Sequence, residues 1–324
     1  MPDASTTTQT LQLRVARMEW AATDILEVEF RAPEGGPLPG YAPGAHIDLA
    51  LPNGLMRSYS IKGAPEVTDR YVVGVGLDAA SRGGSSFVHR TLRVGDVLPV
   101  TAPSNHFPLV EDAPQTVLIA GGIGVTPLVC MARRLSEKGA PCIFHYAVRS
   151  ADRAAFLAEL QGLDIDLRLH VDAQAGGPLD VTAALAGHPE GTHAYCCGPA
   201  GMMQAFEAAT TGWPDENVHV EYFSPKVQES TDADADGPFE VECRRSGKVV
   251  QVAEGQPVSA ALIAAGIAVE TSCEDGICGT CETRVLEGTP DHRDSVLTRK
   301  EREANRTMMV CVSRCKGGRL VLDL

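Results

Sequence analysis

Cys273-Glu-Asp-Gly-Ile-Cys278-Gly-Thr-Cys281, followed at a distance by Cys311, is the stretch on which the reading of this chain turns. The spacing is C-x4-C-x2-C with a remote fourth cysteine, that of a plant-type [2Fe–2S] site. A cluster of this kind needs one loop wound tightly enough for three thiolates to converge, while the fourth arrives from elsewhere. Gly276 and Gly279 let the loop backbone approach the inorganic sulfides, where amide N–H groups can hydrogen-bond. The competing reading is a structural zinc site, but zinc knuckles carry two short cysteine pairs, not a glycine-spaced triplet and one distant partner. Cys315 lies close enough to Cys311 to be mistaken for the fourth ligand, and Cys243 reads as a core cysteine.

Outward from that loop the chain changes texture three times. Residues 238–324 are expected to form a domain of strands with one helix near Val258–Ala265. It comes after an acidic, polar and flexible linker at 227–237 that lacks large apolar residues. From 113 to 226 strands and helices alternate, with expected strands at Thr116–Ala120, Cys142–Val148, Leu167–Val171 and His193–Cys197. A helix is expected from near Pro127 to Gly139, with Leu128, Met131 and Leu135 on one face. From 1 to 112 short β-rich runs dominate, such as Tyr71–Leu77, punctuated by Pro39-Gly40 and Pro43-Gly44; these suggest an antiparallel barrel or sandwich. The expected fold is therefore multidomain: antiparallel β-barrel, α/β domain with a parallel sheet, and α+β β-grasp-like ferredoxin domain.

An iron–sulfur centre needs an electron donor, and the middle region supplies candidates. Ala120-Gly121-Gly122-Ile-Gly124-Val-Thr126-Pro127 sits between a strand and a helix. Glycines there admit a pyrophosphate to the backbone, and the unpaired N–H groups of the helix N-terminus favour its charge. The pattern departs from G-x-G-x-x-G, which argues against a conventional Rossmann assignment. A second turn, Cys197-Gly198-Pro199, also comes after a strand and precedes a helix.

This pairing of turns resembles the ferredoxin–NADP reductase superfamily, and the resemblance implies that Cys197, Gly198 and Pro199 lie by the nicotinamide. Asp172, at the end of a strand, would hydrogen-bond ribose hydroxyls and repel a 2′-phosphate, whereas Arg149 and Arg153 argue for NADPH if both face the ribose. Resemblance favours NADH. Arg57-Ser58-Tyr59-Ser60 matches the superfamily's R-x-Y-S flavin signature. It implies an arginine on the flavin phosphate, a tyrosine packed on the flavin and Ser60 near N5. Gly83-Gly84-Ser85-Ser86 suits a phosphate, and His46 reads as structural.

The order of barrel, nicotinamide region and ferredoxin resembles the phthalate dioxygenase reductase family, vanillate demethylase reductases included, over nearly the whole chain. That resemblance implies FMN as the flavin, Cys311 as the fourth ligand and Phe223 of Glu221-Tyr-Phe-Ser224 over the flavin face. It also implies a Rieske-type oxygenase component as electron acceptor. A cytochrome P450 acceptor and a flavin/Fe–S redox sensor are the alternatives. No acid–base residue is needed for hydride transfer, so no catalytic side chain is assigned. The chain itself has no Rieske C-x-H…C-x2-H pattern, so oxygenation belongs to a partner.

Composition sets the outer bounds. With 44% hydrophobic and 22% charged residues the chain has the makings of packed cores. A formal net charge of -14 and 5% aromatics speak against nucleic acid as a partner. The first residues lack a basic start and apolar run, and no window is long and apolar enough to span a membrane, so a cytoplasmic location is expected. Ten cysteines in such a chain point to metal ligation or burial, not disulfides.

Overall fold

The computed structural model describes residues 9–78, 81–225 and 236–324. The chain divides into two compact units, Met1–Val220 and Glu221–Leu324. Two sheets belong to the first unit and one to the second.

The first sheet is built from β1 (Thr10–Ala22), β2 (Ile25–Arg31), β3 (His46–Ala50), β4 (Met56–Ser60), β5 (Tyr71–Gly76) and β6 (Val97–Thr101), with the short α1 (Gly84–Arg90) between the last two. Its six strands run in the order β4-β3-β6-β1-β2-β5, with antiparallel pairing at every neighbour. A bridge between Ile61 and Val73 joins the two end strands, and this closes the barrel. Closure fits the pattern: inward positions such as Val15, Val28, Phe30, Ile47, Leu49, Val73 and Val100 are fully buried and share one core.

The second sheet contains β7 (Thr116–Gly121), β8 (Cys142–Val148), β9 (Asp166–Val171), β10 (His193–Cys197) and β11 (Val218–Glu221), in the order β11-β10-β7-β8-β9. β10, β7, β8 and β9 pair in parallel. Every residue of β7 is buried, as a central strand covered on both faces requires. The main covering helix is α2 (Val125–Lys138), which buries Leu128, Met131 and Leu135 and stops at Gly139 in the left-handed conformation (φ 63°). Each of those leucines contributes about 2 kcal/mol by burial. The helix begins two residues before the expected Pro127, because a 3-10 turn at Gly122–Gly124 already winds the chain and leads directly into it. Proline is tolerated there because a first-turn residue needs no intrahelical N–H bond. Shorter helices α3 (Leu157–Gln161), α4 (Asp172–Ala175) and α5 (Val181–Ala184) lie in the connections, and α6 (Ala200–Ala209) comes after β10.

In the second unit β12 (Phe239–Cys243), β13 (Lys248–Val252), β14 (Glu282–Asp291), β15 (Thr307–Met309) and β16 (Arg314–Leu322) form a mixed sheet in the order β13-β12-β16-β14-β15. β12 and β16 are parallel, and the other neighbours pair antiparallel. Helix α7 (Val258–Ala264) lays Val258, Ala261 and Leu262 on this sheet, an i, i+3, i+4 stripe. Helix α8 (Arg299–Ala304) starts with a capping box between Thr298 and Glu301. The architecture agrees with the barrel, parallel-sheet and β-grasp-like expectation. Of the expected linker, residues 227–235 lie outside the described residues. Its described end is held fast: Asp236 pairs with Arg293 (2.6 Å), and the buried Arg314 guanidinium donates to the carbonyls of Asp236 and Gly237 (3.1 and 3.0 Å).

Candidate electron-transfer site

The cysteine loop joins α7 to β14, and Cys311 lies just beyond β15. All four thiols are buried, between 4% and 7% exposed. They meet as two pairs. Cys281 and Cys311 sulfurs stand 3.0 Å apart, and Cys273 and Cys278 hydrogen-bond to each other. Two thiol pairs suit a centre with two irons, each needing two protein sulfurs, better than the single tetrahedral centre of zinc.

The loop backbone is shaped for the same purpose. Glu274, Gly276 and Gly279 have φ of 57°, 69° and 78°, a left-handed path that turns amides inward. The Asp275 N–H donates to Cys273 Sγ (3.4 Å), the Ile277 N–H is also directed at Cys273, and the Gly276 N–H is directed at Cys311. The hydrogen bond from Cys273 is the largest influence drawing the Cys278 thiol down, to about 6, and Thr280 assists (Sγ to Oγ1 3.3 Å). Cys273 and Cys311 are pushed up, chiefly by their hydrogen bonds to Cys278 and Cys281 respectively, with burial assisting. The residues present fit a cluster of this type. Cys315 and Cys243 are buried in the sheet core, with thiols raised by burial.

In the first unit the two glycine turns touch. A Cβ on Gly124 would fall 2.2 Å from the Cys197 carbonyl oxygen, and one on Gly121 would meet Pro199 Cδ at 2.4 Å. Gly198 faces Gly121 in return, at 3.2 Å. Gly124 is therefore required by backbone-against-backbone packing between the turns, and Gly121 and Gly198 by their close approach to each other and to the Pro199 and Met202 side chains. Gly122 is different: its φ is +53° and none of the described residues comes within 4 Å of its Cβ position, which leaves its surface open to a ligand. Beside it, no described side chain caps the first amides of α2. Thr126 is buried, with its hydroxyl on the Ile123 carbonyl (3.1 Å), and Pro127 is buried in the first turn. Both serve the turn itself. Asp172 opens α4 with its carboxylate 3.4 Å from His170 Nε2. Arg153 is committed to Asp24 of the barrel (2.7 Å), while Arg149 is exposed.

In the barrel, Arg57 and the Gly83–Ser86 turn come together. A Cβ on Gly84 would sit 2.6 Å from Arg57 Nε, so the absence of a side chain there makes room for the guanidinium at the start of α1. Two residues unmarked in the sequence hold this turn. Ser81 Oγ accepts the N–H of Gly83 (3.2 Å) and of Ser86 (3.3 Å) and the hydroxyl of Ser85 (3.0 Å), and Asn53 donates to the Gly83 carbonyl (3.2 Å). A hydroxyl two residues before a glycine pair was the available signal. Ser58 donates to the buried Asp48 (2.5 Å), which turns its hydroxyl away from any ligand on the Arg57 side. Tyr59 is held neutral by burial, its phenol pushed up to about 12, and Ser60 is buried. His46 bonds Ser104 (3.0 Å) and is structural. Phe223 is 37% exposed and lies past the end of β11, in the second unit.

Two thiol pairs on one unit and paired glycine turns on another define an electron-transfer oxidoreductase. Family models agree: residues 241–316 match a 2Fe-2S iron-sulfur cluster binding domain, and residues 118–208 match an oxidoreductase NAD-binding domain. The chain is 45% identical over 322 residues to a vanillate O-demethylase oxidoreductase of Pseudomonas sp. strain HR199, covering 97% of this chain and 100% of that protein. A solved phthalate dioxygenase reductase is 36% identical with a TM-score of 0.70, covering 97% and 98% of the two chains. An intact type IV self-sufficient cytochrome P450 monooxygenase is 40% identical with a TM-score of 0.87; this chain spans 41% of that one. The chain belongs to the phthalate dioxygenase reductase family.

Proposed function

We propose that the protein is the reductase component of a Rieske-type oxygenase or demethylase system, taking electrons from NADH and delivering them singly through its cluster. The reading is carried by the pairing of four buried thiols on the same chain as an open, uncapped glycine turn. A flavin supplies the step a nicotinamide cannot, since it accepts an electron pair and releases it one electron at a time. The chain's residues bind and orient. Arg57, close against Gly84, pairs in this reading with the FMN phosphate, with the Gly83, Gly84, Ser85 and Ser86 amides and hydroxyls beside it. Tyr59 offers an apolar, uncharged face to the flavin, and Ser60 and Phe223 complete the family pattern.

Gly122 and the first amides of α2 take the pyrophosphate, while Cys197, Gly198 and Pro199 form the wall by the nicotinamide. Gly121, Gly124, Thr126 and Pro127 hold that wall at its distance. Asp172 favours NADH, and the engagement of Arg153 with Asp24 weakens the case for a 2′-phosphate. Cys273, Cys278, Cys281 and Cys311 hold the cluster. A cytoplasmic location belongs to the same proposal. Among the described residues no helix is long and apolar enough to cross a membrane.

Anaerobic titration with NADH tests the relay: flavin bleaching followed by the EPR signal of a reduced two-iron centre is expected, and bleaching without that signal refutes it. A second reading, a cytochrome P450 as acceptor, is favoured by the likeness to the self-sufficient monooxygenase. Reduction rates with purified Rieske oxygenases and P450s, compared side by side, decide between the two.

A further inference from the structure

Behind the cysteine loop lies a carboxylate that the relay does not explain. Asp294 comes after β14 and is completely buried, at 0% exposed. Its Oδ2 accepts the N–H groups of Val296 (3.0 Å) and Leu297 (2.8 Å), which fixes the turn into α8. Oδ1 has no hydrogen-bond partner among the described residues. It faces His292 Nδ1 across 3.9 Å, and that nitrogen has none among them either. The other ring nitrogen of His292 pairs with Asn305 Oδ1 at 3.1 Å. Arg302 is the cation beside the carboxylate, 3.7 Å from Oδ2, and its shorter bond is to the main-chain oxygen of Asp294 (2.5 Å). A buried carboxylate with one oxygen unmatched costs stability, so its presence calls for a reason.

The reason lies in the neighbouring residue. Ser295 donates its N–H to the Gly276 carbonyl (2.8 Å), and the Gly276 N–H is directed at Cys311. Gly276 presses on the carboxylate's own backbone: a Cβ there would lie 3.1 Å from Asp294 Cα and 2.5 Å from Val312 Cγ2. The turn that Asp294 fixes is thus the turn that fixes the ligand loop.

We propose that Asp294 is a positioning residue for the cluster, holding Gly276 through Ser295 and lowering, by its buried charge, the potential at which the centre accepts an electron. The inference rests on the four-cysteine assignment. Reduction adds one negative charge to the cluster, and a fixed carboxylate in a poorly screened interior opposes it. A lower potential keeps the electron transferable to the acceptor.

The test is a redox titration of the full chain, reconstituted with iron and sulfide and followed by EPR. Asp294→Asn keeps the shape and removes the charge. It should raise the potential by about 59 mV, a tenfold change in a one-electron equilibrium, with iron content and the rate of flavin reduction by NADH unchanged. Arg302→Gln removes the compensating cation and should move the potential the opposite way, which general damage to the loop would not do. Unchanged potentials in two fully assembled variants overturn the proposal. Should the Asn variant fail to assemble, Arg302→Gln decides alone: a downward shift supports the proposal and no shift overturns it. Failure of the unmodified chain to take up iron instead sinks the cysteine assignment, and this inference with it.

Discussion

In the second unit three of the four thiols sit in one continuous loop, and only Cys311 is brought in from beyond β15. In the first unit the candidate residues come from β4, the start of α1, the turn after β7, the start of α4 and the turn after β10, and no two of those segments adjoin in sequence. The glycines differ accordingly. In the cysteine loop, left-handed φ at Gly276 and Gly279 winds a path on which the Asp275, Gly276 and Ile277 amides point at sulfur. In the nucleotide region, Gly121, Gly124 and Gly198 are small because two turns must touch, whereas Gly122 is open. A site made from one loop carries its geometry in its spacing. A site made from five segments depends on how a barrel and a sheet pack.

The largest effect expected from breaking this contrast is at the loop. Cys278→Ser should abolish electron transfer to cytochrome c while NADH still reduces the flavin; stopped-flow absorbance separates the steps, and loss of both would point to a wrong path. Arg57→Ala removes a charge-assisted contact worth about 1.5–3 kcal/mol, so flavin content after gel filtration should fall; full retention would take Arg57 off the phosphate. Gly124→Ala drives a methyl into the Cys197 carbonyl and should cost about 3 kcal/mol of stability, read as a lower denaturant midpoint, together with weaker NADH binding.

Gly122→Ala sharpens the contrast. It should cost only about 1 kcal/mol, from left-handed strain, yet raise KM for NADH; an unchanged KM would leave that surface without a ligand. The smallest effect is at Glu111, whose carboxyl is held below its ordinary range chiefly by the Arg134 hydrogen bond, with Lys138 assisting. Its contribution is present above the usual carboxylate range and fades as pH falls through the lowered value. Glu111→Gln should therefore cost about 0.5 kcal/mol at neutral pH and less in acid, by thermal melts across that range.

Strands at Cys142–Val148 and His193–Cys197 were legible to the residue, because buried parallel strands are near-continuous apolar runs, interrupted here only by His145 and His193. The start of α2 was not, since a 3-10 turn of glycines has no apolar period to mark it. Ser81 and Asn53 were missed for a similar reason: a hydroxyl or amide that braces a turn looks like any surface residue until its partner is in place.

By itself the sequence determined the order of the three sheets and marked the candidates: the cysteines spaced for iron and the turns suited to a dinucleotide. Those are properties of residue type and spacing along one segment, where covalent connection limits what the chain can do. The tertiary structure alone decided that Arg153 is taken up by Asp24, that Ser58 turns to Asp48, and that Asp294 lies buried against the cysteine loop. The first joins segments far apart in the chain, the second depends on the register of two paired strands, and the third sets a turn against a loop it does not adjoin. Only packing of the whole core fixes which charged and polar groups meet.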